Sequence, residues 1–476
     1  MYSINNFIVA LPEIIIAVMA MVVMMVGVFW GERFKSLTYR LTQITLIVLI
    51  VIGGFYFNRE NQYAFYGQFH IDNMTIMLKE VIYLATFFIL IYSRSYIKYS
   101  KIPVAEFYVL ILLSVLGAMV LVSANNLITI YIGLELHSLP IYALIAIHRK
   151  SLLSAEASFK YFILGAIMSA FLLYGMSFIY GVTGTLDINA ISSYLATHGN
   201  YKEVVLFAVV FFIVVGAFKL GVAPFHQWVP DVYVGSPNMA TAYLATVPKI
   251  AAYGMLFTLL VKGLSVYSVQ WSQILIILAV ISIFIGNLVA LVQKNIKRML
   301  AYSTISHVGF VFLALAMTDN AGYAAAMYYV IIYVVMTVGA FGVILLLSQK
   351  GKDLQEIKEL SGLSGKHPWL AFMMMIILFS MAGIPPFAGF TSKFLIVNSV
   401  VSHGYYVLAV YILIMSVVAS FYYLKVIKAM YFDSSEGGVA PVISRGGLYA
   451  ITINCLFVLL FGVFPIYLTT AINIIF

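Results

Sequence analysis

A single cysteine, Cys455, stands in 476 residues. It excludes an internal disulfide framework, a thiolate metal site and a cysteine-held iron–sulfur cluster within this chain. Charge is scarce too: 9% of residues are Asp, Glu, Lys or Arg, a level that excludes disordered and ordinary soluble classes. No glycine-rich dinucleotide fingerprint occurs in a strand–helix context, and no phosphate-cradling loop occurs at all, so neither device binds a nucleotide here. No basic segment precedes the first apolar run and no small-residue cleavage pattern follows it. The first helix is therefore expected to direct insertion itself. Nothing in the distribution of cations suggests nucleic acid.

What is present is apolar. The chain is 63% hydrophobic, and its mean hydropathy is +1.05. Runs of about 20 apolar residues, enough to cross a hydrocarbon core of ~30 Å, predict spans near 7–30, 41–57, 74–92, 106–124, 126–147, 156–182, 203–228, 238–262, 271–293, 296–318, 323–348, 368–402, 405–429 and 447–472. The two longest connections are 187–202 and 350–368, and no linker or charged run divides the chain. The expected fold is an all-α polytopic membrane protein of about 14 transmembrane helices.

The basic residues test this map independently. Alternate loops hold eighteen of them: Arg33, Lys35 and Arg40; Arg94, Lys98 and Lys101; Arg149 and Lys150; Lys294, Lys297 and Arg298; Lys350, Lys352, Lys358 and Lys366; Lys425, Lys428 and Arg445. The opposite loops hold Arg59, Lys202 and Lys262. Five more, Lys79, Lys160, Lys219, Lys249 and Lys393, fall inside spans, which accounts for all 26. This bias places the eighteen in the cytoplasm and both termini outside. The net charge of +9 then reports topology and attraction to anionic lipid.

Two spans are interrupted at matching places. Phe218-Lys219-Leu220-Gly221-Val222-Ala223-Pro224-Phe225-His226 is echoed by Gly383-Ile384-Pro385-Pro386-Phe387, followed by Lys393. Proline opens a helix, and freed backbone groups are tolerated in a bilayer only inside protein or beside a wet cavity. The first interrupted span runs inward and the second outward. Two inverted five-helix repeats follow, 106–262 and 263–430, each with a broken helix. They are flanked by three helices in 1–105 and one in 431–476. Working sites of inverted repeats lie near the midplane, at the broken helices.

The intramembrane charges are the candidate site. Glu135 lies some ten residues into its span, where an unpaired carboxylate costs at least ~2.5–3.5 kcal/mol. It is either a packing pair or half of a switch. Burial favours a neutral amine at Lys219 and a nearby carboxylate favours the ammonium. A Glu135–Lys219 pair that opens and closes would therefore release and hold a proton. Lys249 is expected to receive that proton, and Lys393, at the equivalent depth of the second repeat, to be the exit. His307 either bridges Lys249 and Lys393, since imidazole titrates near neutrality, or is a hydrogen-bonded packing residue. His137 and His226 read as structural.

Other charged features have plainer readings. Glu156 and Lys160 form an i, i+4 pair on a helix surface. Lys79 and Glu80 are expected to snorkel to an interface. Asp353, Glu356, Lys358 and Glu359 alternate with Leu354, Ile357 and Leu360, an amphipathic segment expected to lie on the membrane or a partner. The 34 tyrosines and 35 phenylalanines need no site.

Several stretches carry a family resemblance: Leu11-Pro12-Glu13-Ile14-Ile15; Gly133-Leu134-Glu135-Leu136 with Ser138-Leu139-Pro140; Phe218-Lys219-Leu220; Trp228-Val229-Pro230-Asp231-Val232-Tyr233; Lys249-Ile250-Ala251; Asn295-Ile296-Lys297-Arg298 with Ser306-His307; and Ala382-Gly383-Ile384-Pro385 with Lys393-Phe394. Over essentially its whole length the chain resembles the antiporter-like membrane subunits of respiratory complex I. A lysine in the twelfth span and a short C-terminus set it apart from two of the three types. The resemblance implies that Glu135, Lys219, Lys249 and Lys393 are proton-relay positions. It implies no cofactor in this chain, with NADH, FMN, iron–sulfur clusters and quinone handled by partner subunits in a bacterial inner membrane. Two alternatives share the same residues: a subunit of a multi-subunit cation/proton antiporter, and a non-transporting spacer whose buried pairs only fix packing.

Overall fold

An apolar run in hydrocarbon must satisfy its own backbone, and a helix does so within one segment. The computed structural model describes residues 4–30, 35–57, 61–100, 102–198, 201–348, 353–434 and 443–476. Arg33, Arg59, Lys101, Lys350 and Lys352, used above for topology, lie outside them.

In chain order the helices are α1 Ile4–Val9, α2 Leu11–Trp30, α3 Lys35–Tyr56, α4 Asn73–Tyr99, α5 Val104–Val122, α6 Leu127–Ile145 and α7 Leu152–Thr183. Next come α8 Ile188–Thr197, α9 Lys202–Leu220, α10 Trp228–Gly235, α11 Asn238–Leu244, α12 Val247–Leu256, α13 Ser268–Leu291 and α14 Ile296–Leu315. The last are α15 Asn320–Leu347, α16 Leu363–Lys366, α17 Pro368–Ala382, α18 Ala388–Ser402, α19 Tyr406–Phe432, α20 Arg445–Val463 and α21 Ile466–Asn473. Among the described residues thirteen helical stretches are long and apolar enough to cross a membrane. The expected span 368–402 is the broken pair α17 and α18, so each of the fourteen spans has its counterpart.

One short hairpin departs from the all-helical expectation. Strands β1 Gln62–Ala64 and β2 Phe69–Ile71 pair antiparallel, with Tyr63 opposite His70. Helix starts follow local chemistry. The side chains of Asn126, Ser151, Asp187, Asn295, Asp319 and Ser444 each accept from a backbone N–H in the first turn of the helix that follows, which satisfies an otherwise orphaned donor.

Both interruptions end in the same way. α9 stops before Gly221 and α17 before Gly383, at φ of +85° and +86°. In this left-handed region glycine carries no Cβ penalty, so it terminates a helix cheaply. A third break, at Ala245–Thr246, separates α11 from α12, and a π-helical stretch, Phe257–Gly263, follows α12.

The chain divides into two compact units. The first comprises Met1–Phe87, Ile102–Leu220 and Val247–Trp271, and the second Phe88–Lys101, Gly221–Thr246 and Ser272–Phe476. In the first, α5 and α6 pack so closely that a Cβ on Gly117 would meet the backbone of His137. Small residues permit such approach where no hydrophobic drive separates helix from lipid. In the second, α14 and α15 are buried nearly all round and form the core.

Candidate functional site

In the first unit, Glu135 and Ser138 stand one turn apart on α6 and so share a face. The Ser169 hydroxyl donates to Glu135. The Lys219 ammonium, in the last turn of α9, donates to Ser138 Oγ at 2.8 Å, and Ser138 Oγ donates to Leu134 O at 2.7 Å. The direct Glu135–Lys219 pair expected from the sequence is not formed: among the described residues the two make no ion pair within 4.0 Å, and the lysine is satisfied by the serine beside the glutamate. Lys219 is buried, with this hydroxyl as its hydrogen-bond partner and the Phe218 ring centroid 6.0 Å away.

Lys249, in the first turn of α12, donates to the carbonyls of Lys219 and Leu220 at 3.1 and 2.8 Å. These are the last carbonyls of α9, left without helical partners by the break, where the helix carries partial negative charge. A cation is the physically matched cap. Lys219 and Lys249 thus meet at one peptide, one through its side chain and the other through its main chain.

The second unit uses the same cap. Lys393 on α18 donates to Met381 O at 3.3 Å and Ala382 O at 2.9 Å, the last carbonyls of α17. Its ammonium lies 5.6 Å from the Phe310 ring centroid, within cation–π range. A cavity of about 370 Å³ lined by Gly383, Lys393, Phe390, Phe394, Ser416 and Ser420 adjoins it. By these contacts the counterpart of Lys393 is Lys249, not Lys219: both cap a broken helix, whereas Lys219 stands before its break.

His307 is held at both ring nitrogens, Nδ1 by the Tyr329 hydroxyl at 2.7 Å and Nε2 by the Tyr423 hydroxyl at 2.9 Å. All three side chains are buried. These tyrosines form the histidine's setting. His137 is buried against Ser114, and His226 is partly buried at the first break.

Three further expectations change. Lys79 does not snorkel: it is buried and lies 2.6 Å from the Glu13 carboxylate. Lys297, a loop cation by its place in the sequence, is fully buried and donates to Ser236 O at 2.8 Å. The segment with Leu354, Ile357 and Leu360 buries those three side chains in its own unit, and the backbone N–H of Ile357 bonds to Lys294 O. Intramolecular packing, not a membrane or partner, takes its apolar side. The Glu156–Lys160 surface pair forms as expected, at 2.8 Å.

Sequence reasoning passed over a third group in the first unit. Lys262 donates to Asp72 at 2.8 Å and lies 3.0 Å from His70 Nε2, while His70 Nδ1 is 3.1 Å from Ser123 O. The Ser123 carbonyl only accepts, so Nδ1 carries a proton, and Nε2 lies between the Lys262 ammonium at 3.0 Å and the Asp72 carboxylate at 3.4 Å. Burial keeps His70 below its ordinary value. Burial opposes the Asp72 charge, but His70 and Lys262 outweigh it and hold the carboxyl well below the usual carboxylate range. Among the described residues no group of three or more His, Cys, Asp or Glu side chains could hold a metal ion.

Residues 124–419 match the family described as NADH:quinone oxidoreductase/Mrp antiporter, transmembrane. NADH-quinone oxidoreductase subunit N of Coxiella burnetii is 46% identical over 466 residues, covering 97% of this chain and 96% of that protein. A chain of respiratory complex I from Thermus thermophilus superposes with a TM-score of 0.83 at 29% identity, covering 97% of this chain and 99% of that one. A chain of the Mrp complex from Dietzia sp. shares the fold, with a TM-score of 0.86 at 18% identity and coverage of 98% and 96%. The chain belongs to the NADH:quinone oxidoreductase/Mrp antiporter transmembrane family, on the branch whose curated members are named NADH-quinone oxidoreductase subunit N.

Proposed function

We propose that this chain is a proton-translocating membrane subunit of an NADH-quinone oxidoreductase, and that protons move through Glu135, Lys219, Lys249 and Lys393 with His307 assisting. NADH, FMN, iron–sulfur clusters and quinone belong to partner subunits, and this chain is driven by their chemistry. It resides in a bacterial inner membrane with both termini on the periplasmic side. Its working parts are two inverted five-helix repeats, 106–262 and 263–430.

The observation that supports this reading is the placement of two buried ammoniums at one helix terminus, Lys219 on Ser138, one turn from Glu135, and Lys249 on the carbonyls of Lys219 and Leu220. An ionised Glu135 one turn from Ser138 stabilises the Lys219 ammonium across the serine hydroxyl. Protonation or withdrawal of that carboxylate leaves the ammonium facing only its desolvation cost, so the proton leaves. In the second unit, Lys393 at the α17 terminus takes up and releases a proton against carbonyl dipoles, with no carboxylate hydrogen-bonded to it among the described residues. Protons move because each station holds charge conditionally.

NADH-driven pumping in membrane vesicles tests the reading. Glu135→Gln is expected to abolish most pumping per assembled complex, and Glu135→Asp to retain part of it. Full pumping with glutamine would make the pair a packing device. Transport that depends on sodium and not on NADH would assign the chain to a cation/proton antiporter instead.

A further inference from the structure

The three N-terminal helices hold ionisable groups that the relay does not use. Glu13 lies in the first turn of α2, where the helix dipole favours a carboxylate, and it pairs with Lys79 at 2.6 Å. Glu80 is next along α4. Its Oε1 is buried without a hydrogen-bond partner among the described residues, and it fits against the bare Cα of Gly53 on α3, where a Cβ would collide with the carboxyl. Tyr83, 1% exposed, has a hydroxyl with no partner among the described residues. Lys79, Glu80 and Tyr83 line one small space of about 20 Å³, the size that holds a single water molecule. Its other walls, Pro12, Leu49, Gly53, Ile71 and Ile76, carry no charge, and the Tyr56 hydroxyl there is already donated to Ile8 O.

Charge does not balance here. The group holds two carboxyls and one ammonium, and the Glu13–Lys79 pair consumes the ammonium. Glu80 makes no ion pair within 4.0 Å among the described residues, and an isolated buried carboxylate keeps its proton in preference to ionising. An apolar cluster packs beside the group. Val9, Ala10, Tyr56, Ala64, Phe69, Ile71 and Ile76 form an apolar cluster around α1 and the β1–β2 hairpin, and Phe69 lies over the Lys79 ammonium at 5.1 Å.

We propose that Glu13, Lys79, Glu80 and Tyr83 form a proton-holding site built around one ordered water, with the proton resident on Glu80 and the water joining its carboxyl to the Tyr83 hydroxyl. The site is independent of the relay proposed above, since its groups are separate from Glu135, Lys219, Lys249 and Lys393. Two carboxyls sharing one ammonium hold one exchangeable proton between them. Whichever carboxyl pairs with Lys79 is the ionised one.

Infrared difference spectra of the purified intact complex, each variant against the unaltered protein in H₂O and D₂O, read that proton directly. Glu80→Gln is expected to remove one deuterium-sensitive carboxylic-acid C=O band. Glu13→Gln should remove the same band, because Glu80 then ionises to pair with Lys79. Lys79→Met should add a second band, because both carboxyls become neutral. Tyr83→Phe should move the band to higher frequency as the carboxyl loses its water bridge. If Glu80→Gln and Glu13→Gln leave the carboxyl region unchanged, Glu80 is ionised and the proposal fails. A Lys79→Met spectrum without an added band overturns it equally, and that variant suffices should the glutamate variants not assemble.

Discussion

Ser138 decides what Lys219 can do. A hydrogen bond to a charged group is worth about 1.5–3 kcal/mol, or roughly a tenfold to hundredfold bias between protonation states. Ser138→Ala removes the contact that holds the Lys219 ammonium and leaves Glu135 in place. Pumping per complex, measured in NADH-energised vesicles, is expected to fall by about that factor, and Ser138→Thr, which keeps the hydroxyl, to restore much of it. Equal pumping by the alanine and serine forms would remove Ser138 from the path. The residues themselves were legible in the sequence, since a lysine or glutamate inside an apolar run is costly and therefore conspicuous. Their partners were not. Ser138 is one hydroxyl among many, and the Glu13–Lys79 pair joins side chains far apart along the chain. Lys297 sits at a loop boundary in sequence, yet its side chain points inward. Which way a boundary lysine turns depends on neighbours that no linear pattern reveals.

At the scale of elements, breaks do more than the sequence announced. Gly221 and Gly383 were readable as helix stops because each precedes a proline-containing turn. The break at Ala245–Thr246 has neither glycine nor proline within it, although Pro248 follows, so local propensity gave little warning. The hairpin was hidden too, because strands of three residues leave almost no periodicity. That hairpin is tied down by Asp72, His70 and Lys262, the last carried by the π-helical turn after α12. Asp72→Asn leaves Lys262 without its counter-ion at a cost of about 1–3 kcal/mol. Hydrogen exchange of the His70 amide, which bonds to Ser123 O at 2.9 Å, is expected to quicken roughly tenfold or more on that basis. The pH sign follows from the lowered Asp72 value. A carboxyl held below its unfolded value of about 3.9 contributes fully above that pH and loses its contribution as pH falls toward the folded value. The Asp72 contribution should therefore weaken below about pH 4, while His70, held below its ordinary value by burial, weakens the latch from about pH 6.5 downward; Asp72→Asn should erase the lower step. An unchanged exchange rate in the variant would show that packing alone holds the hairpin.

For the whole molecule, the alternation of loop cations predicts a cytoplasmic loop at 350–366 and an external Phe476. Single-cysteine labelling from each side is expected to reach residue 476 only from outside. Labelling from the cytoplasm alone would contradict the orientation. The central claim is that protons pass through buried lysines, and Lys393 separates function from assembly. Lys393→Met keeps the aliphatic volume and relieves the burial of charge, so assembly should survive. Lys393→Arg keeps the charge but cannot release a proton. The direct measurement is protons pumped per NADH oxidised, normalised to complex content on a native gel, in both variants. Assembly near normal with transfer through this station slowed by about 10²-fold or more in both is the expected result. Normal pumping per complex in both would contradict the account.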